Sequence, residues 1–325
     1  IKECDWSSDV CSSDLGIEAI SILIVVAMIL LMLTGMPLAW VTMTLAVTCT
    51  LLWLGPSGMP LVSSRVLGFV SEYVFVAVPL FVLMASIMER SGVAKDLYDA
   101  MYLFAGGLPG GVAVQTTLVA TIMAAMTGII GGEIVLLGLL ALPQMLRLGY
   151  DRRLAIGTIC AGGSLGTMIP PSVVLILYGL TANVSIGDLF QAAFIPGLLL
   201  SCLYMTYIMV RCVIDPSLGP PAPEAERRIP LAKKLQLLKG LILPIMVIVW
   251  VLGSIYGGIA SVTESAGVGV VGAMLSALIR KELNWKMVRE SLLQTMNTTG
   301  VLLWLTFGAN ALIGIYNIMG GTNYM

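Results

Sequence analysis

Two short stretches hold most of the groups that could do chemistry, Gly162-Gly-Ser-Leu-Gly-Thr-Met-Ile-Pro-Pro-Ser172 and Gly128-Ile-Ile-Gly-Gly-Glu133. Each interrupts an apolar run. Pro170 and Pro171 lack a backbone N–H and clash with the preceding turn, and Gly162, Gly163 and Gly166 each cost about 1 kcal/mol relative to Ala in a helix. A helix carrying all of them is predicted to unwind; the plainer alternative, a kink between two scaffold helices, needs only one Pro. In hydrocarbon, a backbone carbonyl freed by such a break must be buried in protein or line a cavity. Unwound carbonyls, such as those of Gly166 and Thr167, and half-helix C-termini suit a hard cation such as Na⁺, while half-helix N-termini offer N–H groups to a carboxylate. The candidate substrate- and ion-binding set is Gly128, Ile130, Gly131, Gly132, Glu133, Gly163, Ser164, Gly166, Thr167, Pro170, Pro171 and Ser172. Within it, Ser164, Gly166 and Thr167 are the candidate Na⁺ ligands.

Glu133 is the only ionisable side chain between Pro109 and Arg147. An acid at membrane depth is a functional hypothesis by default, for a cation or a proton. The competing reading makes it a cap on the helix that follows, where a carboxylate in the first turn is favourable. Glu264, at the start of a later span, reads as an interfacial cap. Gly162-Gly-Ser-Leu-Gly166 matches the G-x-S-x-G of serine hydrolases, but the chain has no His to serve as base and every Lys falls in a loop or terminus. The chain therefore reads as no enzyme, with no cofactor. It also lacks a Gly-rich loop ending in Lys-Ser or Lys-Thr, so it has no P-loop for ATP. The six Cys include no C-x-x-C pair; four of them lie in or at the ends of apolar runs and read as small core residues.

The elements that must position these groups are helices in a membrane. Of 325 residues, 58% are hydrophobic and 11% charged, and the apolar runs are long enough to cross hydrocarbon. Nothing alternates with the period of a membrane barrel. Spans are expected at about 17–34, 37–54, 74–90, 192–213, 240–257, 262–280 and 297–320. Between them, 111–146 is too long for one helix and is expected to be a re-entrant hairpin broken at 128–133; 154–182 is expected to be a discontinuous helix. Basic residues at 147–153, along the Pro-rich linker 216–239 and at 280–289 put these three loops on the cytoplasmic side.

Gly35-Met-Pro-Leu-Ala-Trp begins one span and Gly258-Ile-Ala-Ser-Val-Thr-Glu begins another 223 residues later, in the opposite sense across the membrane. Inverted repeats with hairpins and broken helices are the signature of secondary transporters. The fold expected is all-α, a polytopic membrane protein with inverted repeats. Its first repeat runs over 16–215, and an incomplete second one over 240–325. The second hairpin tip and break would fall at about positions 350 and 390, so the chain is expected to be C-terminally truncated. Residues 1–15 are polar, unlike all that follows, and resemble a translated sequencing-adaptor artefact. The alternative to a transporter is a channel or structural membrane subunit, which should carry pore charges and needs no paired breaks.

The chain resembles the large membrane subunit of tripartite ATP-independent periplasmic (TRAP) transporters, the DctM family of the ion-transporter superfamily. The resemblance rests on Pro79-Leu-Phe-Val-Leu-Met84 with Ser91-Gly92, Gly149-Tyr150, Gly163-Ser-Leu-Gly-Thr-Met-Ile-Pro-Pro-Ser172 with Tyr178-Gly179, and Gly187-Asp-Leu-Phe190 followed by Pro196-Gly197. It implies an elevator-type, Na⁺-coupled importer of organic acids in the bacterial inner membrane. The partners implied are a small four-helix membrane subunit, a periplasmic substrate-binding protein and the lipid bilayer, with no nucleic acid. The tip Thr127-Gly-Ile-Ile-Gly-Gly-Glu133 departs from the family's usual Ser-Gly-Ser-Ser-Ala and looks like the branch labelled for mannitol or chloroaromatic compounds.

Overall fold

The computed structural model describes residues 17–105, 108–128, 131–221 and 231–321. Contacts divide the chain into two units, Ile1–Glu72 with Asn297–Met325, and Tyr73–Met296. The long helix Trp285–Ile318 contributes to both.

In the first unit, α1 (Ile17–Leu33), α2 (Leu38–Trp53) and α3 (Met59–Val70) pack with the C-terminal part of Trp285–Ile318. Ile20, Ile24, Ala46, Cys49, Val62, Ala311 and Ile315 form the core. Trp40 stacks on Trp304 at 5.3 Å, and the hydroxyls of Ser21 and Tyr316 are hydrogen-bonded. α3 falls between the spans expected at 37–54 and 74–90. Pro60 lies in its first turn, where a missing N–H costs nothing.

The second unit contains α4 (Ala77–Arg90), α5 (Val93–Ala105), α6 (Gly111–Thr127), α7 (Gly132–Arg147), α8 (Arg152–Ser164), α9 (Val173–Ala182), α10 (Ile186–Ile214), α11 (Leu231–Tyr256) and α12 (Val262–Ile279). Trp285–Ile318 is α13. α6 lies at its centre, touching α4, α5, α7, α8 and α10. It is buried nearly all round, which is why its apolar residues show no single face. Its buried Thr116, Thr117 and Thr121 hydroxyls donate to carbonyls one turn back, and the hydroxyl of Thr121 also meets that of Ser201 on a neighbouring helix. Tyr73–Arg90, Ile186–Ile214, Val262–Ile279 and Trp285–Ile318 are long and apolar enough to cross a membrane. Large apolar side chains are widely exposed, among them Leu139, Ile195, Val249 and Val301. In water such coverage would drive aggregation; this is a multi-pass membrane protein.

A polar knot closes one end of this unit. The turn after α10 offers the carbonyl of Gly219 to Gly110 N–H at 2.8 Å and that of Leu218 to Asp151 N–H at 3.0 Å. Tyr150 Oη accepts the N–H of Val112 at 3.2 Å, and Asp151 caps α8 by accepting from the N–H groups of Arg153 and Leu154. The side chain and N–H of Ser217 donate to Asp215 and hold its carboxyl below the ordinary range. Because Tyr150 follows α7 and Val112 begins α6, the two helices start and finish at the same end of the unit.

Of the cysteines expected in the core, Cys49 and Cys212 are buried, whereas Cys160 and Cys202 are exposed. The latter two face outward from helices that need apolar surface on that side as well. Cys4 and Cys11 lie outside the described residues.

Glycines mark the closest helix approaches. A Cβ on Gly308 would stand 2.1 Å from Thr42 Oγ1 and 2.9 Å from the carbonyl of Ala39, and one on Gly269 would stand 2.5 Å from Met84 Sδ. Aligning Gly35 with Gly258 brings Met84 and Gly308 to matching positions within one residue. α2 thus packs on the C-terminal part of α13 much as α12 packs on α4. Gly308→Ala should destabilise the protein by about 1–3 kcal/mol through overpacking. Gly300→Ala, with nothing within 4 Å of its added methyl, should be neutral or stabilising by up to about 1 kcal/mol. Denaturant unfolding of both variants in detergent measures the difference, and equal stabilities would show that the seam is not tight.

Candidate functional site

The discontinuous helix is α8, a single tighter turn at Leu165–Thr167, an extended stretch through Ser172, and then α9. Pro170, Pro171 and Ser172 are buried, and the Pro170–Pro171 peptide is cis. Each hydroxyl of the segment spends its proton locally. Ser164 donates to the carbonyl of Ala161 at 2.7 Å, Thr167 to that of Ser164 at 2.8 Å, and Ser172 to that of Thr167 at 2.9 Å. This leaves the hydroxyl oxygens with lone pairs and no spare proton, which is the state that suits a cation. Ser164 and Thr167 are half-buried, Gly163 and Gly166 buried.

The other break joins α6 to α7. Gly128 ends α6 in the left-handed region at φ 60°, which costs a residue with a Cβ about 1–2 kcal/mol. Its carbonyl accepts the N–H of Val173, the first residue of α9, at 3.1 Å. A Cβ on Gly128 would lie 2.0 Å from the carbonyl oxygen of Pro171. Tip and break are therefore in direct backbone contact, and only glycine allows it. Further along, Gly163 of α8 meets Ile134 of α7, where a Cβ would lie 2.1 Å from Cγ1. Pro171 shares a small gap with Met84, Met88, Met126 and Val251.

Gly131 precedes α7 at φ 110°, with open space where a side chain would go. Ile130 lies outside the described residues. Glu133 is 1% exposed. Its Oε1 accepts from the hydroxyl of Thr127, and its Oε2 has no partner. The carboxyl thus closes the tip by reaching back to the last residue of α6, and α7 has no side-chain cap. Glu264, by contrast, is a cap, engaged with Ser261 in a reciprocal box.

Glu89, in the last turn of α4, was not singled out by sequence. Its carboxylate lies against Gly132, where a Cβ would stand 3.2 Å from Oε1, and it accepts from Gln294 Nε2 at 3.3 Å. Beside it Arg90 pairs with Glu290 at 2.6 Å and donates to Gln294 Oε1 at 2.9 Å. The only available signal was that Glu89 and Arg90 end an apolar span, which reads equally well as an ordinary interfacial pair. Among the described residues, no group of three or more His, Cys, Asp or Glu is placed to hold a metal. A cation here would rest on carbonyls and hydroxyls. A cavity of about 1030 Å³ lies elsewhere, between α8 and α10, with Arg153, Tyr204, Tyr207 and Arg211 among its walls.

Comparison with known proteins gives a consistent result. Residues 25–323 match the family described as tripartite ATP-independent periplasmic transporter, DctM component. The chain is 30% identical over 265 residues to the C4-dicarboxylate TRAP transporter large permease protein DctM of Pseudomonas aeruginosa, covering 81% of this chain and 60% of that protein. It is 30% identical over 254 residues to the ectoine TRAP transporter large permease protein TeaC of Halomonas elongata, covering 78% and 58%. It is 28% identical over 279 residues to the sialic acid TRAP transporter large permease protein SiaM of Vibrio cholerae, covering 86% and 64%. The chain spans about three fifths of the length of these relatives.

The contact between α7 and α8 can be tested directly. Gly163→Ala should cost about 1–3 kcal/mol of stability by overpacking. Combining it with Ile134→Ala should cost less than the sum of the two single changes, because the added methyl then has room. A strictly additive pair in denaturant unfolding would mean that the two helices do not meet there.

Proposed function

Because this chain belongs to the DctM component family of tripartite ATP-independent periplasmic transporters, we propose that it is the membrane permease subunit of a secondary, Na⁺-coupled importer of an organic acid. The observation that carries this reading is the junction of the two breaks, the Gly128 carbonyl on Val173 N–H with Pro171 against Gly128. Two interrupted helices meet there inside one apolar unit, as a midplane binding site requires. Ser164, Gly166 and Thr167 supply oxygen ligands for Na⁺, and the start of α9 supplies N–H groups for a carboxylate. The substrates named for the relatives, a C4-dicarboxylate, ectoine and sialic acid, share a carboxylate.

The pairing of α6 and α7 at one end supports the re-entrant hairpin, and the matching glycine contacts support the internal repeat. The elevator mechanism and the location in a bacterial inner membrane come with the family. So do the small four-helix subunit and the periplasmic binding protein that delivers substrate. Coupling to ions is adequate in energy. One monovalent cation moving down 100 mV releases about 2.3 kcal/mol, and a tenfold concentration gradient adds about 1.4 kcal/mol.

The test is uptake into proteoliposomes holding the full-length protein that contains this chain, its small subunit and its binding protein. An imposed inward Na⁺ gradient should drive accumulation without ATP. Thr167→Val should raise the Na⁺ concentration for half-maximal uptake by about tenfold, the loss of about 1.4 kcal/mol of binding. Accumulation driven only by ATP or only by a proton gradient would sink the proposal, and an unchanged Na⁺ dependence in Thr167→Val would remove that residue from the site.

A further inference from the structure

Glu133 is buried, and among the described residues no cation pairs with it. α6 carries no charge. α8 carries Arg152 and Arg153 in its first turn, at the opposite end from Gly163, which meets the first turn of α7. α5 carries Lys95, Asp96 and Asp99, of which Asp96 is bound by Arg280 while Lys95 and Asp99 are exposed on its outer face. α4 carries Glu89 and Arg90, and Arg90 is taken by Glu290 and Gln294. The charged neighbour left facing Glu133 is another carboxylate.

The hydrogen-bond inventory points the same way. Thr127 has one hydroxyl proton and two acceptors in reach, the carbonyl of Met123 at 3.1 Å and Glu133 Oε1. If Glu133 is ionised, the single Thr127 hydroxyl proton is divided between the two, and Oε2 is a buried anionic oxygen with no donor. If Glu133 carries a proton, its O–H donates to Thr127 Oγ1 and Thr127 donates to Met123, so every proton has an acceptor. An isolated carboxylate out of water is costly enough that the group neutralises instead.

We propose that Glu133 and Glu89 form a proton-binding site, in which Glu133 carries an exchangeable proton and Glu89 connects it to water. Gly132 makes this possible, because the Glu89 carboxylate occupies the space a side chain would need. The two carboxyls share no hydrogen bond, so the proton crosses through water: the O–H bond on Glu133 breaks as a water takes its proton, that water gives a proton to half-exposed Glu89, and Glu89 releases it to solvent. Its two carboxyls are distinct groups from the proposed Na⁺ ligands Ser164, Gly166 and Thr167, although Gly163 packs against Ile134 beside them. It makes the tip of the α6–α7 pair responsive to protons.

Infrared difference spectra of the full-length protein in lipid nanodiscs test this without any transport measurement. At neutral pH a protonated-carboxyl band should be present, vanish in Glu133→Gln and shift in frequency in Thr127→Val. The second variant keeps the assignment open to test if the first fails to fold. In Glu89→Gln the band should remain, but its shift on transfer to deuterium oxide should take about tenfold longer or more, tenfold being about 1.4 kcal/mol of barrier. Replacing choline by Na⁺ at fixed pH should leave the band in place. A spectrum with no band sensitive to Glu133 or Thr127 overturns the proposal, as does a band erased by Na⁺. Exchange at the wild-type rate in Glu89→Gln overturns the role of Glu89. A failure of Na⁺-driven uptake would leave these spectra unchanged, so the two readings fail separately.

Discussion

An unpaired backbone group in hydrocarbon costs several kcal/mol, and this constraint organises the second unit. The break at 168–172 frees carbonyls and N–H groups beside the buried Pro170, Pro171 and Ser172. The protein answers locally. Gly128 lends its carbonyl to Val173, Ser172 lends its hydroxyl to Thr167, and the hydroxyls of Ser164 and Thr167 fold back onto their own turns. Two interruptions that would each be ruinous alone satisfy one another. The need for contact explains why Gly128 is a glycine, why α7 must pack on α8 through Gly163, and why α6 is buried all round.

Much of this was legible in one dimension. Pro170-Pro171 amid glycines announces an unwound segment, and the structure has one there. The glycines at 128–132 announce the α6–α7 junction, whose boundaries fall within a few residues of those expected. Amphipathic helices were harder. α5 and the first turns of α13 carry too many charges to read as spans, and they were passed over as loops. They are helical because their polar faces meet other ends of the chain, as Asp96 meets Arg280 and Glu290 meets Arg90.

The candidate site shows the same limit. Glycine and proline declare themselves by what they do to their own backbone, so the break could be located from local rules. Glu89 does nothing to its own backbone; its meaning comes from Gly132, more than forty positions away. The role of Glu133 was open between cap and buried acid because the first turn of a helix permits both. Glu133 lies in that first turn and is buried, and its carboxyl is held by Thr127, a partner that local helix rules do not name.

The polar knot joining Gly110, Tyr150, Asp151 and Gly219 also bears on how the protein is made. The last of its members, Gly219, lies at the very start of the Pro-rich linker, and chains generally fold from their N-terminal parts during synthesis. The α6–α7 pair and the interrupted helix can therefore be tied at their shared end while the rest of the chain is still on the ribosome. The glycine contact between α4 and α12 must wait for residue 269. Assembly in the membrane thus has a built-in order, in which the two interrupted segments are joined to one another first and clasped by the later helices second.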